Sequence, residues 1–128
     1  MLSTTSDATL LHWVTGEIDL PAAKQGAAAA RQVVQQLGLT HPGLNLLLDL
    51  RGMCFLTLQA HQAWKRGFTH HPLVIPHIRY TAIIGDATPN FRAEQAQLTS
   101  AQCHFFLDRA AGEAWLDTRK AQEKKNHG

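Results

Sequence analysis

The sequence is poor in the features that usually announce chemistry. It has two cysteines, Cys54 and Cys103, far apart and in no CxxC spacing. That excludes a disulfide framework and gives no sign of an oxidising compartment. The nine glycines are scattered, with neither GxGxxG nor a P-loop pattern, so no phosphate-cradling loop is legible. The GxSxG elbow of serine hydrolases is missing as well. Twelve basic against ten acidic residues leave a net charge of +2. That is too weak and too dispersed to point to nucleic acid. No run approaches the ~18 consecutive apolar residues of a membrane span. The start, Met1 to Asp7, lacks the basic and apolar regions of a signal peptide. The expectation is a soluble, cytoplasmic protein with no nucleic-acid partner, no stable membrane insertion and no cofactor.

What is present suits one ordinary folded domain over residues 1–128. Apolar residues make up 45% of the chain and charged residues 17%, and a chain of this length buries enough surface to form a core unaided. Thr9 to Thr15 alternates like a strand, and Leu2 to Thr5 reads as a short edge strand before it. Asp19 and Pro21 mark a helix start. Ala23, Ala27, Ala30, Val34 and Leu37 then form one helical face, with Gly38 as its expected C-terminal cap. Leu44 to Leu50 is almost wholly apolar, as a strand buried on both faces is.

A second helix is expected from Thr57 to about His70, with Ala60, Trp64 and Gly67 or Phe68 inward and His71–Pro72 as its stop. Ile78 to Ile84 reads as a strand, Thr88–Pro89 opens a third helix to Leu98, and Gln102 to Phe106 reads as a last strand. Asp108 caps a final helix that contains Trp115 and Leu116, and residues 119–128 are expected to fray. Strands alternating with helices imply right-handed parallel crossovers. The fold class is therefore α/β, with a mainly parallel sheet of four to five strands and about four helices.

Each place where chemistry could sit has a plainer structural reading. Asp49, Asp86 and Asp108 mark strand ends, where ligands of open α/β sheets lie and where carboxylates could hold a hard cation or take a phosphoryl group. Asp108 is equally an N-cap, and Asp86 follows Gly85 in a turn. The eight histidines crowd at His61, His70, His71 and His77, but neither HxxxH nor HExxH occurs, so no metal site is expected. Cys54 and Cys103 read as small buried apolar residues, and His104 would face away from Cys103 on a strand. Trp13, Trp64 and Trp115 read as core rather than as a ligand cage.

The segment Leu46-Leu-Leu-Asp-Leu-Arg-Gly-Met-Cys-Phe-Leu56, followed by a helix, resembles the STAS domains, whose prototype is the bacterial anti-sigma-factor antagonist. Ile84-Gly85-Asp86 is similar to the Val-Gly-Asp strand end of the SpoIIAA-like (STAS/SEC14-type) branch. Phe105-Phe106-Leu107-Asp108 with Ala111 and Ala114-Trp115-Leu116 matches the branch's aromatic strand, acidic turn and Ala-x-x-Trp-Leu helix. The resemblance spans Thr9 to Leu116. It implies a mixed sheet with an antiparallel edge strand, and a regulatory or interaction domain rather than an enzyme. Where the antagonists carry Asp-Ser-Ser-Gly with a phosphorylated serine, this chain has Thr57-Leu58-Gln59-Ala60. The phospho-acceptor position is Leu58, so the serine switch is absent.

The leading expectation is a non-catalytic STAS-like module that binds a protein partner, or itself as a homodimer. Its surface would be Met53, Phe55, Leu56, Thr57, Leu58 and Gln59, an apolar cluster dense for a loop. The alternative is a carrier or sensor of a small apolar, lipid-like ligand. Its pocket would be formed by Trp64, Phe68 and the Leu73–Ile75 run, with His77 and Arg79 as polar groups. A phosphatase-like enzyme using Asp49 and Asp86 is the remaining, least favoured reading.

Overall fold

The computed structural model describes the backbone of residues 2–4, 9–13, 16–41 and 43–127, and the side chains of 16–41 and 43–122. Five strands form one sheet in the order β1-β2-β4-β6-β7. These are β1 (Leu2–Thr4), β2 (Thr9–Trp13), β4 (Leu44–Asp49), β6 (Ile78–Ile84) and β7 (Cys103–Phe106). β1 is the antiparallel edge, and every other pairing in the sheet is parallel. Among the described residues four helices connect and cover it: α1 (Leu20–Gly38), α2 (Leu58–Gly67), α3 (Pro89–Leu98) and α4 (Arg109–His127). The α/β class and the mainly parallel sheet agree with the sequence reading.

Local chemistry sets the helix starts. The Asp19 carboxylate accepts from the Ala22 amide at 2.9 Å, Thr57 Oγ1 from Ala60 at 3.0 Å and Thr88 Oγ1 from Phe91 at 3.1 Å. Each satisfies an amide that the first helical turn leaves without a carbonyl partner. Asp108 Oδ1 similarly accepts from Ala110 at 3.3 Å.

Strand β4 is buried at every position because both of its faces are covered. Leu44, Leu46 and Leu48 join Ala23, Ala27, Ala30 and Val34 of α1 and Ala60, Trp64 and Phe68 on one side. Leu47 meets Ala82, Ile84 and Leu116 on the other, beneath α4. Alanines on α1 let α2 come close: a Cβ added at Gly67 would lie 2.9 Å from the Ala27 Cβ. Arg31 Nη1 donates to the Gly67 carbonyl at 2.8 Å across the same contact.

Several expectations change. A further strand follows the first long one: β3 (Gly16–Ile18) pairs in parallel with β5 (Met53–Phe55) as a second, two-stranded sheet. The expected loop around Met53 is therefore partly strand. Gly52, with φ +75°, makes the turn into β5, a conformation that costs glycine little. Gly38 is the last residue of α1 and not its left-handed cap. Its small size is needed instead by His77, whose Nδ1 would lie 2.4 Å from an added Cβ. The second helix stops at Gly67, before His70. The tail expected to fray continues α4 as helix to His127. The expected turn at Ser6–Asp7 and the end of the first strand at Val14–Thr15 lie outside the described residues.

Candidate functional site

Between α2, α3 and the sheet lies a cavity of about 290 Å³. The period-two alternation of the strands supplies its floor: Leu46 and Leu48 from β4, Ile83 from β6, Cys103 and Phe105 from β7. Trp64 closes it from α2, Val74 and Ile75 from the segment after α2, and Leu98 from the end of α3. Phe91 holds α3 in place by an edge-on contact with Phe105, their ring centroids 5.6 Å apart. That contact needs Gly85, where a Cβ would lie 2.5 Å from the Phe91 ring.

Polar residues line this space as well, with His61, Lys65 and Glu94 on the helices and Thr69, His70, Arg79, Thr81 and Gln102 elsewhere on the wall. Lys65 Nζ on α2 is hydrogen-bonded to Glu94 Oε1 on α3, and both side chains are 27% exposed. His61 Nε2 lies 3.8 Å from the same carboxylate oxygen, and its ring stacks on Phe55 at 4.7 Å. Burial, reinforced by the Lys65 charge, holds the imidazole below the usual 6.5, against a smaller opposing pull from Glu94. The Cys103 thiol is pushed up to about 11 by burial, so it is not a nucleophile near neutral pH.

A second, more open groove of about 560 Å³ adjoins the cavity. Leu50, His61 and Glu94 line both spaces. The groove's other walls are residues 53–58 on one side and Gly85, Asp86, Thr88, Asn90 and Phe91 on the other.

The expected interaction cluster divides. Met53 and Phe55 are half-buried strand residues packed on the main core. Leu56 and Leu58 are 53% and 68% exposed, Gln59 is exposed, and Thr57 is occupied as the α2 cap. Of the expected ligand pocket, Trp64, Arg79, Val74 and Ile75 do line the cavity. Phe68 does not: it is wholly buried in the core below. His77 is also displaced, because it packs over Gly38 on α1. The sequence reading missed His61 as a cavity residue, and with it Lys65, Glu94, Leu98 and Phe105. The spacing 91, 94 and 98 on α3 carried a usable signal, since steps of three and four place those residues on one helical face.

The strand-end acids are each engaged. Asp49 takes a two-point contact from Arg51, with Nε at 2.9 Å and Nη2 at 2.8 Å. That hydrogen bond, more than any other influence, holds the Asp49 carboxyl below 3.8. Asp86 Oδ2 accepts from the Gly52 amide at 3.1 Å, tying the β4–β5 turn to the end of β6. Among the described residues no three His, Cys, Asp or Glu side chains converge as a metal site would require. Cys54 is exposed, contrary to its expected burial, while Cys103 is half-buried in the cavity wall. Trp64 and Trp115 lie in separate clusters on opposite faces of the sheet, so they share no cage. Among the described residues no helix is long and apolar enough to cross a membrane.

No known protein family and no curated protein matches the chain. A solved structure does: an uncharacterized protein of the DUF3478 family, with a SpoIIAA-like fold, from Shewanella loihica PV-4. It is 21% identical, superposes with a TM-score of 0.63, and the match covers 91% of this chain and 90% of that one. With the strand order, the antiparallel edge and the helices on both faces already described, the chain has a SpoIIAA-like fold.

Proposed function

We propose that the protein is a non-catalytic binding domain that holds a small apolar molecule between α2, α3 and the sheet. The observation that carries this reading is the cavity of about 290 Å³, walled mainly by leucine, isoleucine, valine and aromatic side chains, with polar groups at His61, Lys65 and Glu94 and again at Arg79, Thr81 and Gln102. Sites that bury ligands have this composition, and this one lies at the small end of the ~300–1,000 Å³ range. The groups beside it are poorly set for catalysis. Lys65 and Glu94 neutralise each other, and the Cys103 thiol stays protonated. Native mass spectrometry of freshly purified protein tests the reading, with a co-purifying small molecule as the expected result. An empty chain that takes up no added apolar compound would sink it.

A second reading rests on Leu56 and Leu58, whose exposure at the rim of the open groove suits a protein partner or a second copy of the chain. This reading includes no serine phospho-switch, because Leu58 stands where the resemblance to the antagonists would place the serine. Light scattering coupled to size-exclusion chromatography checks the homodimer form: an apparent dimer that Leu58→Asp converts to monomer supports it, and a strict monomer at high concentration removes it. Capture of a defined host protein by the wild-type chain, lost in Leu58→Asp, would support the partner form.

A further inference from the structure

Size and charge narrow the occupant of the cavity, on the proposal above that the cavity binds a ligand. An apolar protein cavity of about 150 Å³ accommodates one benzene. At about 290 Å³ the present one has room for roughly two such rings, or a single chain of about ten carbons. The two acyl chains of a membrane lipid exceed it several-fold.

The polar end of the ligand fits where the cavity meets the open groove, although Thr69, His70, Arg79, Thr81 and Gln102 line the cavity too. Leu50, His61 and Glu94 border both the cavity and the open groove, so an apolar body inside can present its polar end there and remain in touch with water. The charges at that place are already matched. Lys65 holds Glu94 across the α2–α3 gap, each side chain only about a quarter exposed. A carboxylate head would have to draw Lys65 away and leave Glu94 half-buried with only the neutral His61 nearby. An ammonium head would do the converse. Removing the partner of a sheltered charge is costly, whereas a neutral donor or acceptor adds a hydrogen bond without breaking the pair. His61 supports the same conclusion, since its surroundings keep it uncharged near neutral pH and able both to donate and to accept.

We infer that the cavity selects an uncharged amphipath of about ten carbons, a single chain or two fused rings, whose hydroxyl or carbonyl end sits at His61, Lys65 and Glu94. Calorimetric titration of the full chain with 1-alkanols of increasing length, delivered from cyclodextrin, tests both halves of the inference. Affinity should rise about fourfold per methylene, as burial of each CH₂ requires, and level off near decan-1-ol. Decanoate and decylamine should each bind at least tenfold more weakly than decan-1-ol. Ile83→Phe should fill the cavity and weaken decan-1-ol at least tenfold. Leu98→Trp, at the more exposed rim, should shift the preferred length downward even if Ile83→Phe fails to fold.

Affinity that keeps rising to hexadecan-1-ol overturns the size limit, and decanoate binding as tightly as decan-1-ol overturns the uncharged head. Either result leaves a ligand-binding cavity standing. No binding by any alkanol or alkanoate overturns the cavity reading itself. Unchanged affinity in both folded variants would place the bound molecule elsewhere.

Discussion

Burial and the Lys65 ammonium both hold the His61 imidazole below 6.5, which links a single side chain to the pH dependence of the whole fold. The unfolded chain takes up this proton first, so the stability present above 6.5 is lost as pH falls through the lower folded value. Urea unfolding should show a lower midpoint at about pH 5.5 than at about pH 7.5, and His61→Gln should shrink the difference. Asp49 acts with the same sign in a more acidic window. Its folded value lies below 3.8 because Arg51 hydrogen-bonds the charged form. Its contribution is present above 3.8 and disappears only as pH falls through the folded value, so Arg51→Gln should move acid unfolding, followed by circular dichroism, to higher pH. The cysteines give a third check. Iodoacetamide at about pH 8 should alkylate exposed Cys54 and spare Cys103, which is half-buried in the cavity wall with a thiol pushed to about 11. Peptide mass spectrometry reads the two sites separately, and both should react in urea.

Among the elements, the helix starts were the most legible, because an Asp or Thr cap and a following proline act within four residues. Thr57→Ala should therefore cost about 1 kcal/mol in urea denaturation while leaving cavity binding intact, since the hydroxyl serves the Ala60 amide and not the cavity. The close packing of α1 on α2 makes a sharper contrast between two glycines. Gly67→Ala would put a Cβ 2.9 Å from the Ala27 Cβ, and overpacking of this kind typically costs ~1–3 kcal/mol. Gly26→Ala, on the exposed side of α1 with nothing within 4 Å, should instead stabilise by ~0.5–1 kcal/mol, because glycine is a poor helix former. Equal effects from the two substitutions, measured by thermal or urea unfolding, would refute this account of the α1–α2 contact. The β3–β5 pair was not legible for a corresponding reason. Each strand has three residues, too few for a period, and each exists through its pairing with the other.

At the scale of the whole molecule, the two core clusters are not independent, because β4 and β6 supply side chains to both faces of one sheet. Unfolding should be a single cooperative transition. Trp64 reports one face and Trp115 the other. Fluorescence of the double variants Trp13→Phe/Trp64→Phe and Trp13→Phe/Trp115→Phe, each with one remaining tryptophan, should give the same urea midpoint as circular dichroism of the same variant. Midpoints that separate by probe would mean that the α4 face unfolds on its own.

The sequence by itself determined what depends on neighbours along the chain. It set the caps at Asp19, Thr57 and Thr88, the small-residue face of α1, the doubly buried β4, and hence the parallel α/β sheet. It also put leucine, which cannot accept a phosphate, at position 58, a matter of identity alone. Tertiary structure decided what depends on residues distant in the chain. Lys65 and Glu94 are 29 positions apart, and nothing in either segment announces the other. Trp64 and Phe68 share one helical face in sequence, yet packing puts the first in the cavity wall and the second wholly in the core. Met53 and Phe55 resembled an exposed cluster until β3 claimed their backbone and the core their side chains. Periodicity tells which face of an element is apolar, but only the arrangement of α2, α3 and the sheet determines whether that face meets another side chain or an empty space.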